Sequence, residues 1–244
     1  MDRKTAMLAL ALLAGAAPAM AQEAGEWVWQ VTPYVWATGI GGDITPYADG
    51  PTVSFDSSFS EVVRDLDAAF FLSGYARRDR LVFLGDFSHS SSSRDGLLPG
   101  GLPAEGKLEQ TSLTLAAGYR VVAGDGVAID LLAGARHWRV KGSVTVPPAG
   151  LSVSPRATFT DPILAARANI RLAPRWSAIL YGDIGGFGVG SERTSQIVAT
   201  VNYQAGEDVF LSAGYRTLSV DYRDSGTRID PRMSGPIFGA TWRF

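Results

Sequence analysis

Apolar and polar residues alternate with a period of two through segment after segment of this chain, and that alternation constrains its fold more than any other feature. Successive side chains of a β-strand point to opposite faces, so the pattern specifies strands with one greasy and one polar face. Leu81, Phe83, Gly85 and Phe87 interleave with Val82, Leu84, Asp86 and Ser88. Leu113, Leu115, Ala117 and Tyr119 oppose Ser112, Thr114, Gly118 and Arg120. Val127, Ile129, Leu131, Ala133 and Ala135 alternate with Asp130, Gly134 and Arg136. Pro162, Leu164, Ala166, Ala168, Ile170 and Leu172 alternate with Asp161, Arg167, Asn169 and Arg171. Phe238, Ala240, Trp242 and Phe244 stand against Gly239, Thr241 and Arg243.

Two all-β architectures bury such strands. In a soluble sandwich the smooth face is the core; in an outer-membrane barrel it meets lipid, and the ionic face lines the interior. Periodicity does not separate them, but strand length and turn asymmetry do. The segments run about 10–14 residues against a usual 5 or 6, and a tilted membrane strand needs about 9–11. Short turns fall near 78–79, 123–126, 173–175 and 205–208. Longer loops fall at 41–66, 90–107, 141–157, 185–192 and 223–233. This is the asymmetry of a barrel with short periplasmic turns and long external loops. The expected fold is therefore an antiparallel up-and-down transmembrane barrel of ten strands. They are expected at 27–40, 67–78, 80–90, 108–121, 127–140, 158–171, 176–185, 193–204, 209–222 and 234–244. Eight strands remain if the first segment or 193–204 is not a full strand.

Residues 1–21 read as a secretory signal. Arg3 and Lys4 precede an apolar stretch from Met7 to Ala17, and Ala19-Met20-Ala21 offers a small-x-small cleavage site after Ala21. Residues 22–244 would then form one outer-membrane barrel domain. The chain contains no cysteine, which excludes disulfides, thiolate metal sites and a lipoprotein anchor. A net charge of -2 gives no general attraction to nucleic acid. Aromatic residues gather toward strand ends, as two membrane-boundary girdles would require. Trp27, Trp29, Tyr119, Trp176, Tyr203, Phe210, Trp242 and Phe244 lie at one end; Phe87, Trp138, Phe159, Phe187 and Tyr222 lie at the other.

Phe238, Trp242 and the terminal Phe244 resemble the closing-strand signature read by the barrel-assembly machinery of bacterial outer membranes. Several internal phrases resemble a family of small, largely uncharacterised, porin-like outer-membrane β-barrels of proteobacteria. They include Thr32-Pro33-Tyr34-Val35-Trp36, the run from Ile129 to Trp138, Asp161-Pro162-Ile163-Leu164, the run from Gly182 to Ser191, and Gly214-Tyr215-Arg216. The resemblance implies the cell outer membrane and the fold. It implies no reaction, no catalytic residues and no cofactor.

By parity Asp86, Arg120, Asp130, Arg136, Asp161, Arg167, Asp183, Arg216 and Arg243 point inward. Buried charges must pair or stay wet, so cross-strand pairs are expected: Arg120 with Asp130, and Arg136 with Asp161 and Arg167. Gly118, Gly134, Gly182, Gly214 and Gly239 are expected to face inward and leave room for the long arginines. Such a network either braces the barrel or lines a narrow conduit for small solutes. A wide diffusion pore belongs to barrels of about 16 strands. Ser58 to Glu61 is a capping-box pattern, with Phe59, Val62, Val63 and Leu66 on one helical face. A helix there suggests a lid or a rim element.

Other chemistry is thin. His89 sits among serines, three residues after Asp86, and a rim-sited hydrolase is imaginable. On a strand, however, that spacing puts the two side chains on opposite faces. His137 reads as an interfacial polar residue. No metal-ligand spacing appears, and Gly185 to Gly190 lacks the Lys and helix of a phosphate-binding loop. Arg94, Lys107, Arg139, Lys141, Arg156, Arg193 and Arg223 gather toward the external loops, where lipopolysaccharide phosphates are natural partners alongside membrane lipid. The expected function is a structural barrel or a narrow passive conduit. The alternative is a surface binding or adhesion module working through loops 41–66, 90–107 and 141–157.

Overall fold

A computed structural model describes residues 25–45, 53–57, 60, 66–97, 103–154, 156–224 and 227–244. The strands are β1 (Trp27–Trp36), β2 (Gly39–Thr45), β3 (Val53–Ser57), β4 (Leu66–Arg78), β5 (Leu81–Leu97), β6 (Pro103–Ala123) and β7 (Val127–Val146). They continue as β8 (Leu151–Val153), β9 (Arg156–Ala173), β10 (Trp176–Gly186), β11 (Arg193–Gln204), β12 (Val209–Asp224) and β13 (Thr227–Arg243). Every pairing is antiparallel, and β1 bonds both β4 and β13, which closes the sheet. Ten staves form the barrel: β1, β4, β5, β6, β7, β9, β10, β11, β12 and β13. Past Ala37, β2 prolongs the first stave against β13; β3 pairs β2, and β8 pairs β7 outside the ring. The expected segment at 193–204 is a full strand, so the eight-strand alternative falls.

Closure answers a backbone problem. An open sheet edge in hydrocarbon leaves N–H and C=O groups without partners, at several kcal/mol each. Here the final residue seals the seam: Trp29 N–H donates to the Phe244 carbonyl at 2.7 Å, and Phe244 N–H returns a bond to Trp29 O at 3.0 Å. The outer surface is then apolar over a continuous band. Leu113, Leu115, Tyr119, Leu131, Leu164, Leu180, Ile197, Leu211 and Phe238 are all exposed, as are Trp27, Trp29, Trp176, Trp242 and Phe244 toward the short-turn end. The band ends sharply at the opposite boundary. His89 there bonds Thr111 and His137 bonds Thr160, both at 2.9 Å and both between neighbouring staves.

Two expectations about the strand ends need correction. Trp138, Phe159 and Tyr222 are not girdle residues but point into the barrel, Phe159 lying 4.5 Å from Tyr222 and 6.2 Å from Trp138 between ring centroids. Phe210 likewise occupies the inward parity of β12, beneath Arg243. The segments expected as external loops at 90–107 and 141–157 are largely strand. β5 runs eight residues past His89, about 26 Å of extended chain. Ladders β5–β6 and β6–β7 continue to Leu97–Pro103 and Glu105–Thr145. By contrast β10 and β11 meet in a tight turn at 187–192, so one wall of the barrel stands much higher than the other. The signal segment lies outside the described residues. So does the helix expected from Ser58, apart from Ser60, which is helical, and Leu66, which begins β4.

The inward glycines act on the backbone rather than clearing space for arginines. A Cβ on Gly134 would sit 2.0 Å from the Leu115 carbonyl oxygen, and one on Gly118 would sit 2.0 Å from that of Leu131. The β6 and β7 backbones approach too closely for any side chain, which is how a sheet coils tightly enough to close. Gly182 lies between inward Tyr181 and Asp183 and so occupies the outer face, contrary to expectation.

Two measurements check this geometry. Leu115 is 58% exposed, and Leu115→Arg is expected to lower unfolding free energy in lipid vesicles by about 2–4 kcal/mol; a change near zero would remove lipid from that face. Gly134→Val is expected to cost about 1–3 kcal/mol. Gly74→Val, at a site with no atom near the added Cβ, should cost clearly less in the same urea titration.

Candidate functional site

The interior is built in layers. Alternate residues of ten staves converge on a narrow space, so an ion away from the mouths must find its partners within the protein. Nearest the short-turn end, Asp130 on β7 accepts from Arg120 Nε at 2.8 Å and from Tyr75 Oη at 3.0 Å. Arg120 also donates to Tyr75 Oη at 2.8 Å. Arg167 on β9 stacks 4.4 Å above the Tyr75 ring and reaches Asp130 at only 3.5 Å. Two guanidinium groups thus share one carboxylate.

The next layer is mixed. Val82, Ala116, Leu132, Ala165 and Tyr181 form an apolar wall. Above it, Arg136 is fully engaged. Its Nε donates to Thr114 at 3.0 Å, its two terminal nitrogens donate to Asp183 at 3.0 and 2.6 Å, and one of them also reaches Thr194 at 3.2 Å. On the other side, Arg216 donates to Tyr34 Oη, to Gln196 Oε1 at 2.7 Å and to Asp86 at 3.3 Å, with Tyr34 Oη donating to Asp86 at 2.9 Å. Its guanidinium also covers the Trp36 ring at 4.5 Å. Asp86 lies on β5 and Arg216 on β12, four staves apart around the ring, so this contact crosses the interior.

Toward the external end the filling becomes apolar. Trp36, Trp138, Leu218, Val220, Met233 and Ile237 form one buried cluster, with Phe71, Phe159 and Tyr222 against it. These residues come from opposing walls and meet in the middle. Gln110 on β6 reaches the Met233 sulfur on β13 at 3.6 Å, another contact across the interior.

Eight of the nine residues expected to point inward are gathered in these layers. Arg120 pairs with Asp130. Arg136 does not pair with Asp161, although the two are register partners. Its guanidinium reaches over β9 to Asp183 instead, and Asp161 accepts from Ser191 N–H at 2.6 Å and Ser191 Oγ at 2.9 Å, in the turn between β10 and β11. Arg167 goes to Asp130 rather than to Arg136 or Asp161. Arg243 stands apart: it is exposed at the short-turn mouth, 3.8 Å from Asp208 and bonded to the Glu207 carbonyl at 3.0 Å. Phe238, Trp242 and Phe244 all face outward on the closing strand. Sequence parity did not single out Tyr34, Tyr75 or Gln196, whose polar ends complete the network.

The residues imagined for a hydrolase are separated: Asp86 faces Arg216 inside, and His89 faces Thr111 outside. Among the described residues no group of three His, Asp or Glu side chains is placed to hold a metal ion. Among the described residues no helix is long and apolar enough to cross a membrane.

Comparison with curated proteins finds no match. Among solved structures, the chain is similar to the outer membrane protease OmpT of Escherichia coli, with 10% identity, a TM-score of 0.53, and coverage of 93% of this chain and 99% of that one. It is also similar to the translocator domain of the autotransporter NalP of Neisseria meningitidis, at 13% identity, 90% and 89% coverage and a TM-score of 0.49. A third is Ail, the attachment invasion locus protein of Yersinia pestis, at 14% identity, 90% and 99% coverage and a TM-score of 0.37. At such identities the OmpT likeness concerns the fold alone. The model of the outer membrane protein β-barrel domain matches residues 7–244, and the chain belongs to that family and to the cell outer membrane.

Proposed function

We propose that this outer-membrane barrel is a non-conducting scaffold, braced shut by its own interior and holding a tall external β-sheet above the membrane. The observation that carries this is the set of contacts between opposing walls: Arg216 to Asp86 at mid-depth, and the Trp36, Trp138 and Met233 cluster above it. Side chains that meet in the middle of the barrel leave no room for a hydrated solute to pass. The narrow conduit expected as the other use of the same charges is disfavoured for that reason.

The high wall favours a second, compatible role in surface binding. The β5–β6–β7 ladders rise well past the His89–His137 boundary, and their outward parity there is polar, with Lys107, Glu109, Arg139 and Lys141. Where that wall leaves the apolar band, Arg139, Lys141 and Arg156 all occupy the outward parity, Lys141 and Arg156 being register partners, and Lys141 also lies 3.5 Å from Glu109. The position supports contact with lipopolysaccharide phosphates, since paired cations bind phosphate oxygens by charge-assisted hydrogen bonds. The outward alternation of Phe238, Trp242 and Phe244 on the closing strand supports their role as the signal for the assembly machinery.

In planar bilayers the refolded protein is expected to give no discrete conductance steps at either polarity; ohmic steps of uniform size would overturn the scaffold reading. Asp183→Ala leaves the Arg136 charge buried without its carboxylate and is expected to cost about 3–5 kcal/mol of stability. Asp208→Ala, at the exposed mouth, should cost about 1 kcal/mol or less in the same unfolding assay.

A further inference from the structure

The short-turn end of the barrel is open where the other end is filled. A vestibule of about 280 Å³ lies there, lined by Arg77, Arg120, Arg167, Arg243, Gln30 and Asn169 together with Val28 and Tyr75. No carboxylate lines it. Gln30, Tyr75 and Arg167 also line the cavity of about 150 Å³ directly above, so the two spaces adjoin through a shared wall. Four arginines line one space, and the acids that reach them do not balance them. Asp130 is bonded by Arg120 and reached by Arg167 at the long distance of 3.5 Å. Arg77 has the Asp79 carbonyl oxygen at 2.8 Å, and Arg243 has Asp208 at 3.8 Å on the solvent side. Arg167 is 94% buried, with a tyrosine ring and a shared carboxylate for company.

A buried guanidinium that shares its carboxylate with a second one leaves a local excess of positive charge, which favours an anion from solution. We propose that this vestibule is a binding cup, opening to the periplasm, for a small oxyanion carrying a phosphate or carboxylate group. Arg167 forms the floor contact, Arg120 the flank, and Arg77 and Arg243 close over the anion at the rim. Gln30 and Asn169 supply neutral amide donors of the kind that bind the remaining oxygens. The cup is blind because of the filled outer half, which is the one respect in which it rests on the scaffold reading; binding is measured independently of conductance, so either claim fails alone.

The test is calorimetric titration of the refolded protein in neutral, phospholipid-free detergent at constant ionic strength, with inorganic phosphate and, separately, succinate. Saturable one-to-one binding of at least one probe is expected. Arg167→Gln should weaken it by about tenfold, Arg77→Gln by about threefold, and Lys107→Gln, on the external wall, not at all. Arg167→Lys, which keeps the charge, should retain most of the affinity. If Arg167→Gln does not fold, the Arg77→Gln/Arg243→Gln double variant decides the matter through a loss of about fivefold or more. Adding phosphatidylglycerol separates the sources of the group: competition with phosphate assigns a lipid headgroup to the cup, and its absence assigns a free solute. No saturable heat with either probe, or equal affinity in wild type and the cup variants, overturns the proposal.

Discussion

Everything in this molecule follows from the need to satisfy backbone hydrogen bonds in a medium that offers none. The sheet cannot have an edge within the hydrocarbon, so β1 must find β13, and the terminal residue itself bonds Trp29. Ten staves then enclose a fixed and narrow volume. Once the outer surface is given to lipid, the inward half of every strand must fill most of that volume and find partners for the ions it buries. The glycines at 118 and 134 belong to the same constraint, because only a bare backbone lets β6 and β7 approach closely enough for the ring to close.

The interior meets the requirement in two chemically different ways. At mid-depth, ions do the filling. Arg136 spends its donors on Asp183, Thr114 and Thr194, and Arg216 spends most of its donors on Asp86, Tyr34 and Gln196. Long planar guanidiniums suit this task, since each presents donors in fixed directions and reaches partners two or more staves away. Toward the cell exterior, indole, phenyl and thioether groups fill instead. An apolar layer excludes water and raises the strength of the ionic contacts beneath it, because opposite charges attract more strongly in a low dielectric. The two layers therefore support one another, and the ions hold the walls at the spacing that the aromatic cluster fills.

Much of this could be read from the sequence, because parity is a strict rule on a strand. It placed Asp130, Arg136, Asp161, Arg167 and Asp183 on the face opposite the leucines. It could not say which ion meets which. Strands of a barrel are tilted and staggered, so a side chain as long as Arg136 passes its register partner and finds Asp183 one stave further on. Asp161 is meanwhile occupied by Ser191, a residue in a turn that no alternation marks. Trp138, Phe159 and Tyr222 stand near strand ends, where a girdle would lie, but parity puts them on the inward face. The extended wall is hard to see in the sequence because β5 and β6 carry Ser90 to Ser93 and Gly106 there, polar and small residues without the apolar outward face of a membrane strand. The signal that distinguishes membrane from aqueous strand is the change of the outward residues from apolar to polar, and it falls at His89 and His137.

The difference between the two ends has a physical logic of its own. A barrel filled evenly with paired ions would be electrically neutral at every depth. This one separates its charges: Asp161, near the external side, accepts only from Ser191 among the described contacts, while two guanidiniums share Asp130 near the periplasmic side. The buried acids and bases balance in number along the whole depth but not layer by layer. An excess of positive charge next to an open, wetted vestibule is tolerable because water and mobile anions screen it. The same excess beneath the aromatic cluster would have no counterion. The position of the apolar layer and the position of the arginine-lined mouth are thus one arrangement: the uncompensated positive charge is kept where solution anions reach it, while the Asp161 carboxylate in the sealed half rests on the two donors of Ser191.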